Sequence, residues 1–505
     1  MRCVGITIGP VVDALSLART PAGFWAASYL FSALSKDLCA RIAEVMGGPN
    51  AIVSPYYEPE HNEDLDDADP DDPRLEDGVG LYHDRIIVED NESKLSLDRV
   101  NELIAETKAN LARKLAKNNN QSRDAVPVDE NTAVNYFDKF FRIRALEFTS
   151  EVNPILDGSR DLDAIELEAQ FVPTETRNLL FELLECDESE TRNQIVKNLV
   201  LKAFHIGDAW QLLEKPRPNR PNASRKIRDL EAIAATEDPG NNNYKRYKYY
   251  AILQCDGDGI TQVLQTKNGT DALRSFSSNL LSYARGAADL VRDYGGATLY
   301  AGGDDLLAIV PVSGKNQQTV LDLVKDLDHL FNTKVPGCTL SFGIAVCYYK
   351  YPLYEAFPEA RRLLEDVAKK QKGKNALAIS LLKHSGQNAS FVLTTIEEPS
   401  VVNDLSELIA WKGDEQYYNS VEQHLRDFDQ LFKQAVTKEE ADNLFKNVFD
   451  ADIRGKVAQL KAIDDLFWLC NDPNSASRAT SLNKDVPAID ALLRFVRFFS
   501  EKGLE

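Results

Sequence analysis

Apolar positions along the chain fall into short alternating runs and longer runs of helical spacing. Residues 3–8 (Cys-Val-Gly-Ile-Thr-Ile) read as a strand closed by Gly9-Pro10. From Pro21, a first-turn position, Trp25, Ala26, Tyr29, Leu30, Ala33 and Leu34 recur every three or four residues. That spacing predicts a helix through Ile42 and Val45 to a stop at Gly47-Gly48. Leu81–Val88 reads as a strand, and Leu97–Leu115 and Asn131–Phe148 as helices. Further helices are expected around Leu179–Leu184 and Ile195–Ala203, before a Pro/Arg linker at 215–221 and a breaker cluster at 237–244.

After that boundary the pattern is denser. Tyr249–Cys255 is a buried-type strand running into Asp256-Gly257-Asp258-Gly259, followed by a helix over Asp271–Tyr294. Two apolar runs, 297–299 and 307–310, flank Tyr300-Ala301-Gly302-Gly303-Asp304-Asp305-Leu306 and predict a hairpin. A helix over Val320–Phe331, a strand over Thr339–Val346, a helix over Pro358–Lys370 and a strand over Ala376–Ser380 complete a β-α-β-β-α-β ferredoxin-like order. Beyond 395 the spacing is helical, Thr437 with Glu440 makes a capping box, and Leu482–Phe499 closes a bundle. The expected class is α+β, divided at 1–150, 151–243 (a mainly helical linker), 244–394 and 395–505.

Composition narrows the functional classes. With 58 Lys+Arg against 79 Asp+Glu the formal charge is −21, which opposes non-specific nucleic-acid binding. The seven cysteines are scattered with no CxxC pair, so neither a disulfide framework nor a zinc site is expected. No signal peptide and no 18-residue apolar run is present, which predicts a soluble, cytoplasmic protein without membrane contact. Residues 56–78 form an acidic loop without the spacing of an EF-hand. His83-Asp84 suggests a phosphohydrolase only if further ligands cluster with it, and the six histidines do not.

The GGDD hairpin carries the candidate chemistry. In a ferredoxin-like sheet the first strand lies antiparallel beside the hairpin, so Asp256 should meet Asp304 and Asp305. Three such carboxylates suit Mg²⁺ or Mn²⁺ with positions left for phosphates. Neighbours on a strand face opposite ways, so the two hairpin aspartates should not be equivalent. Lysines 369, 370, 372 and 374, between a helix and a strand, are candidates for phosphate contact, although such a run also suits a helix C-terminus.

Residues 249–380 resemble the palm domain shared by GGDEF diguanylate cyclases and DNA polymerases. The matching residues are Asp256, Ala301–Leu307, Ser341-Phe342-Gly343-Ile344-Ala345, Ala368-Lys369 and Gly373-Lys374-Asn375. The Asp-Asp ending, with Asp256-Gly257-Asp258, is similar to the large polymerase-cyclase subunit of type III CRISPR complexes. Ile8-Gly9-Pro10-Val11, Ala18-Arg19, Trp25–Tyr29, Ser32-Ala33-Leu34 and His83-Asp84-Arg85-Ile86 resemble the first palm of its Cmr-type (III-B) members.

The resemblance implies two palms, one with GGDD and one without, and a synthase that makes cyclic oligoadenylate from ATP when guide RNA pairs with target RNA within the assembled subunits. Asp256, Asp304 and Asp305 would be the catalytic and metal-binding residues. Gly257, Asp258, Gly302, Gly303, Ser341, Lys369 and Lys374 would bind the nucleotide. Because the first palm starts at residue 1, no HD nuclease activity is expected. The alternatives are transfer of AMP from ATP to S-adenosylmethionine, a catalytically silent assembly subunit, and a stand-alone diguanylate cyclase.

Overall fold

The computed structural model describes residues 1–59, 75–119, 129–167, 180, 184, 203–207, 210–214, 226–238, 244–383, 388–394, 399–410, 415–428, 437–448, 457–471 and 479–502. The expected helices around 179–184 and 195–203, the 215–221 linker and the middle of the acidic loop lie wholly or mostly outside these residues.

Four strands, β1 (Arg2–Gly9), β2 (Ile52–Ser54), β3 (Arg85–Glu89) and β4 (Arg142–Thr149), form a sheet in the order β2-β3-β1-β4. Between β1 and β2 run α1 (Val11–Leu15) and α2 (Pro21–Met46). Thr20 caps α2 by accepting from the Gly23 amide at 3.1 Å, and Gly47 (φ 82°) ends it. The helix is apolar almost all round because it is packed on both sides. Its Ser28 hydroxyl donates to the Leu299 carbonyl at 3.3 Å, across in the second sheet, and its Trp25 indole donates to the Gly78 carbonyl at 2.7 Å. Burying each of Phe24, Trp25 and Leu30 stabilises the fold by roughly 1.5–3 kcal/mol.

The expected 131–148 helix divides. Helix α4 (Glu130–Phe140), antiparallel partner of α3 (Leu97–Asn119), stops at Phe141, and Arg142–Thr149 is strand β4, paired along its length with β1. The strand is half-buried, with α5 (Pro154–Glu166) on one face, so its apolar residues are too sparse to alternate cleanly. The 81–88 strand also begins later, at Arg85.

Beyond a two-stranded ribbon, β5 (Leu213–Glu214) with β6 (Lys226–Ile227), and the short α6 (Leu230–Ala234), comes the second sheet. It is built from β7 (Tyr249–Asp258), β8 (Ala297–Gly302), β9 (Asp305–Pro311), β10 (Thr339–Tyr348), β11 (Ala376–Leu382), β12 (Ala389–Thr394) and β13 (Ala479–Ser481), in the order β13-β12-β11-β10-β7-β9-β8. Its run β10-β7-β9-β8 repeats the 4-1-3-2 order of the first sheet, so both palms are ferredoxin-like. Helices α7 (Ile260–Gln265), α8 (Thr270–Tyr294), α9 (Val320–Lys334) and α10 (Leu353–Arg362) cover it.

The two sheets meet at β8. Segment 79–81 of the first palm lies parallel to it, with the Ala301 amide donating to the Gly80 carbonyl at 2.9 Å. On one face of α8, Arg274, Arg285 and Arg292 pair with Glu89 (3.3 Å), Glu58 (2.8 Å) and Asp77 (3.5 Å) of the first palm.

The C-terminal segment is helical as expected: α11 (Pro399–Ala410), α12 (Glu415–Asp427), α13 (Lys438–Val448), α14 (Val457–Asn471) and α15 (Ala488–Phe498). The Thr437–Glu440 capping box forms at 3.2 and 3.3 Å. Yet the segment is not separate from the palm, because it supplies β13 and lays α15 on β12. Among the described residues no helix is long and apolar enough to cross a membrane.

Glu501 fastens this segment down. Its side chain, 7% exposed, takes Lys383 at the end of β11, Lys245 (3.2 Å) at the start of the palm, and Arg497 (3.7 Å). Burial would raise the Glu501 carboxyl, but Lys383 and Lys245 outweigh it and hold it below the usual range. Lys383 is lowered as well, which for an ammonium disfavours the charged form: burial lowers it by more than Glu501 returns. The ammonium is therefore the costly member of the pair.

Glu501→Ala should destabilise the chain by about 3–5 kcal/mol in chemical denaturation, since it strands a buried ammonium. The Glu501 contribution is present above the ordinary carboxylate pKa and is lost as pH falls through the depressed folded value. Acid titration of stability should accordingly be flatter in Glu501→Gln than in the parent chain.

Candidate active site

The hairpin turn is Gly303-Asp304, between the paired residues Gly302 and Asp305. Gly303, with φ 71°, takes the left-handed first position that a two-residue primed turn demands. Strand β7 runs alongside, pairing Cys255 with Leu306 on β9 and Asp256 with Ser341 on β10. Asp256 thereby reaches the turn, close enough to push up the carboxyls of both Asp304 and Asp305. Gly257 makes room for this meeting, because a Cβ there would lie 2.6 Å from Asp304 Oδ2.

Asp304 is half-buried and Asp305 opens to the cleft. The protein wall around both still displaces enough water to disfavour charge, and Asp256 adds repulsion. Asp304 is pushed up to about 7, and Asp305, with Asp304 as a further neighbour, well above the carboxylate range. The two hairpin carboxyls are thus inequivalent in exposure.

Lys369 balances this charge. Helix α10 passes into a wider π turn (Leu363–Val367) and then a tight turn (Ala368–Lys370), which aims the Lys369 side chain back at β7. Its ammonium ion-pairs with Asp256 and with Asp258 (3.0 Å), and donates to the Gly257 carbonyl at 2.7 Å. Burial alone would lower it, but Asp256 and Asp258 outweigh burial and keep it raised.

Asp258 and Ser341 are both buried and sit behind this contact. Ser341 donates to Asp258 Oδ2 at 2.6 Å, and the Asn375 amide donates to the same oxygen at 2.9 Å. These bonds hold the 371–375 loop and, through Asp258, the lysine. Lys370, Lys372 and Lys374 remain exposed. Gly302 lies under the Tyr300 ring, where a Cβ would meet the phenol oxygen.

The hairpin faces a cavity of about 250 Å³ between the palms. Its first-palm wall includes Ser54, His83, Asp84 and Arg85, and its sides are apolar: Ile87, Leu162, Ile260, Leu264, Phe276 and Leu280. His83 is kept neutral, lowered to about 4 by burial and Arg85. Its Nδ1 accepts from the Arg85 amide (3.4 Å), leaving Nε2–H for Ser54 Oγ (3.1 Å). Burial raises Asp84 despite Arg85 beside it. Ser54 and Arg85 are not candidates from sequence, and Asp84 enters there only with His83 as a phosphohydrolase pair that lacks further ligands. The one other signal for Asp84 and Arg85 is the match of 83–86 to a first-palm strand.

The oxygen donors and raised carboxyls suit a hard divalent cation. Among the described residues, however, no three His, Cys, Asp or Glu side chains stand arranged to hold one, and Lys369 occupies the cationic place beside Asp256.

Residues 249–378 match the family model for the second palm domain of Cas10/Cmr2, and residues 3–121 the model for the N-terminal region of CRISPR-associated protein Cmr2. The chain is 32% identical over 232 residues to the CRISPR system Cmr subunit Cmr2 of Pyrococcus furiosus, covering 39% of this chain but only 26% of that relative's length. Two solved structures share the fold over 99% of this chain at 13% identity. One is a type III-B Cmr-beta in its apo state (TM-score 0.59, 81% of that chain covered); the other is a Csm1-Csm4 cassette in complex with cA4 (TM-score 0.51, 70% covered). With the N-terminal region and the GGDD palm each matched in order along the sequence, the chain is similar to Cas10/Cmr2 proteins over both palms.

Proposed function

We propose that the chain is the nucleotidyl-transferring subunit of a type III CRISPR effector complex and joins ATP units into a cyclic oligoadenylate by 3′–5′ links. The observation that carries this reading is the inter-palm cavity, with Asp304 and Asp305 on one wall, backed by the Asp256–Lys369 ion pair, and a first palm without GGDD on the other. Its partners would be the other subunits of the complex, guide RNA and, as the trigger, target RNA.

The donor ATP would lie over the hairpin and the acceptor against the first palm. The acceptor 3′-hydroxyl gives up its proton to solvent as its oxygen forms a bond to the donor α-phosphorus, the α–β anhydride bond breaks, and pyrophosphate leaves. Asp256, Asp304 and Asp305 would hold Mg²⁺ or Mn²⁺, which when bound screens phosphate charge and lowers the pKa of the attacking hydroxyl. The turn at Gly302-Gly303 exposes backbone close to the phosphates. Lys369, which Asp258 and the Gly257 carbonyl also hold, would contact a phosphate oxygen. Lys374 extends that cationic edge. Neutral His83 orients the Ser54 hydroxyl without adding charge.

A second reading is favoured by Asp84 and Arg85, which put one carboxyl and one guanidinium on the acceptor wall. That pairing suits a zwitterionic acceptor such as S-adenosylmethionine, to which AMP would be transferred.

The assembled complex with matching target RNA and labelled ATP, with and without S-adenosylmethionine, tests both. Asp304→Asn with Asp305→Asn should cut product by about 10²–10³-fold while assembly is retained. A wild-type complex that makes no product from either mixture would leave an assembly role instead. Protons compete with the cation for Asp304, so Mn²⁺ affinity followed by magnetic resonance should weaken as pH falls through about 7.

A further inference from the structure

Among the described residues, Arg85 is the sole lysine or arginine lining the inter-palm cavity, and the other charged ones are Asp84, Asp304 and Asp305. Any anionic group entering the first-palm half would meet this one cation. In the free chain the guanidinium is already engaged: it donates to Asp163 Oδ1 at 2.6 Å and to both carboxylate oxygens of Glu166, at 3.0 and 3.1 Å. Glu166 is anchored in turn by the Thr7 hydroxyl at 2.5 Å. Both carboxylates belong to the last turn of α5, where they also sit unfavourably at the negative end of the helix dipole. Helix α5 is the element wedged at the seam. It packs on β1, β3 and β4, lends Ile155, Ser159 and Leu162 to the cavity, and begins beside Asn153, which donates to the Leu264 carbonyl of the second palm at 2.8 Å.

Resting on the nucleotidyl-transfer reading above, we propose that Arg85 binds the anionic end of the acceptor, and that Asp163 and Glu166 on α5 hold it back in the free chain. The anion is a phosphate if the acceptor is ATP and a carboxylate if it is S-adenosylmethionine. The guanidinium fork matches either group with two parallel bonds, as it now matches Glu166. Exchanging one carboxylate partner for another anion keeps the guanidinium paired throughout. A displacement of α5 at the seam would therefore be coupled to occupancy of the acceptor half, because the helix carries the competing carboxylates.

The full chain with Mg²⁺ is titrated with ATP and, separately, with S-adenosylmethionine, and binding is followed by calorimetry. Arg85→Gln should weaken binding of the acceptor by about ten-fold or more, the value of a lost charge-assisted pair. Asp163→Asn, at a side chain 59% exposed and so tolerable to the fold, should tighten it several-fold, and Glu166→Gln should act in the same direction. The ligand whose affinity follows both changes is the acceptor. Unchanged affinity for both ligands in Arg85→Gln, or weaker binding in Asp163→Asn, overturns the proposal even if product still depends on Asp304 and Asp305. A parent chain that binds neither ligand overturns the nucleotidyl-transfer reading together with it.

Discussion

Like charges forced together at the ends of two strands are the constraint around which this molecule is arranged. The pairing of β7 with β9 brings Asp256 against the hairpin, and the turn brings two more carboxyls to the same corner. Nothing in the sheet itself compensates for that repulsion. Compensation comes from Lys369, on a helix whose last turns change pitch before reaching the site. The unwound turns, the left-handed Lys374 and Asn375, and the buried Asp258–Ser341 bond all keep one ammonium within reach of Asp256.

The second palm supplies this corner, but the cavity exists only because the first palm closes it. A helix buried on both faces, a backbone bond from Ala301 to Gly80, and three arginines along one face of α8 fix the two sheets to each other. The more exposed pairs, Arg285–Glu58 and Arg292–Asp77, contribute little each, about 0–1 kcal/mol, so the apolar burial of α2 carries most of the stability. The pairs set the register of one palm over the other. Charge is negative on the hairpin wall and mixed on the first-palm wall, which gives the two halves different acceptance for an incoming group.

Much of the hairpin half was legible in the sequence. Glycines at a tight turn, apolar runs on either side and a carboxylate at the end of a preceding strand are local signals, and the sheet order follows from few alternatives. Lys369 was legible as a position, not as a partner of Asp256, because the π turn that aims it leaves no mark on the apolar pattern. Arg85 and Asp84 were legible only as part of a first-palm strand, not as residues facing the hairpin. They reach the cavity through the docking of one palm on another, a contact more than 200 residues apart in sequence. Strand β4 was read as helix because its residues are half-buried, and β13, three residues long, is too short to show any period.

The return of the chain to its own sheet bears on how the protein is made. Strand β12 pairs with β13 across some 85 intervening residues, and α15 covers it only afterwards. A growing chain that has left the ribosome as far as the GGDD palm therefore carries an open strand edge and an uncovered apolar face. Non-local pairings of this kind form slowly, and exposed edges invite pairing with other chains. Until residue 498 has been synthesised, the GGDD half of the molecule is a sheet without its rim, and protection during synthesis becomes part of what this architecture requires.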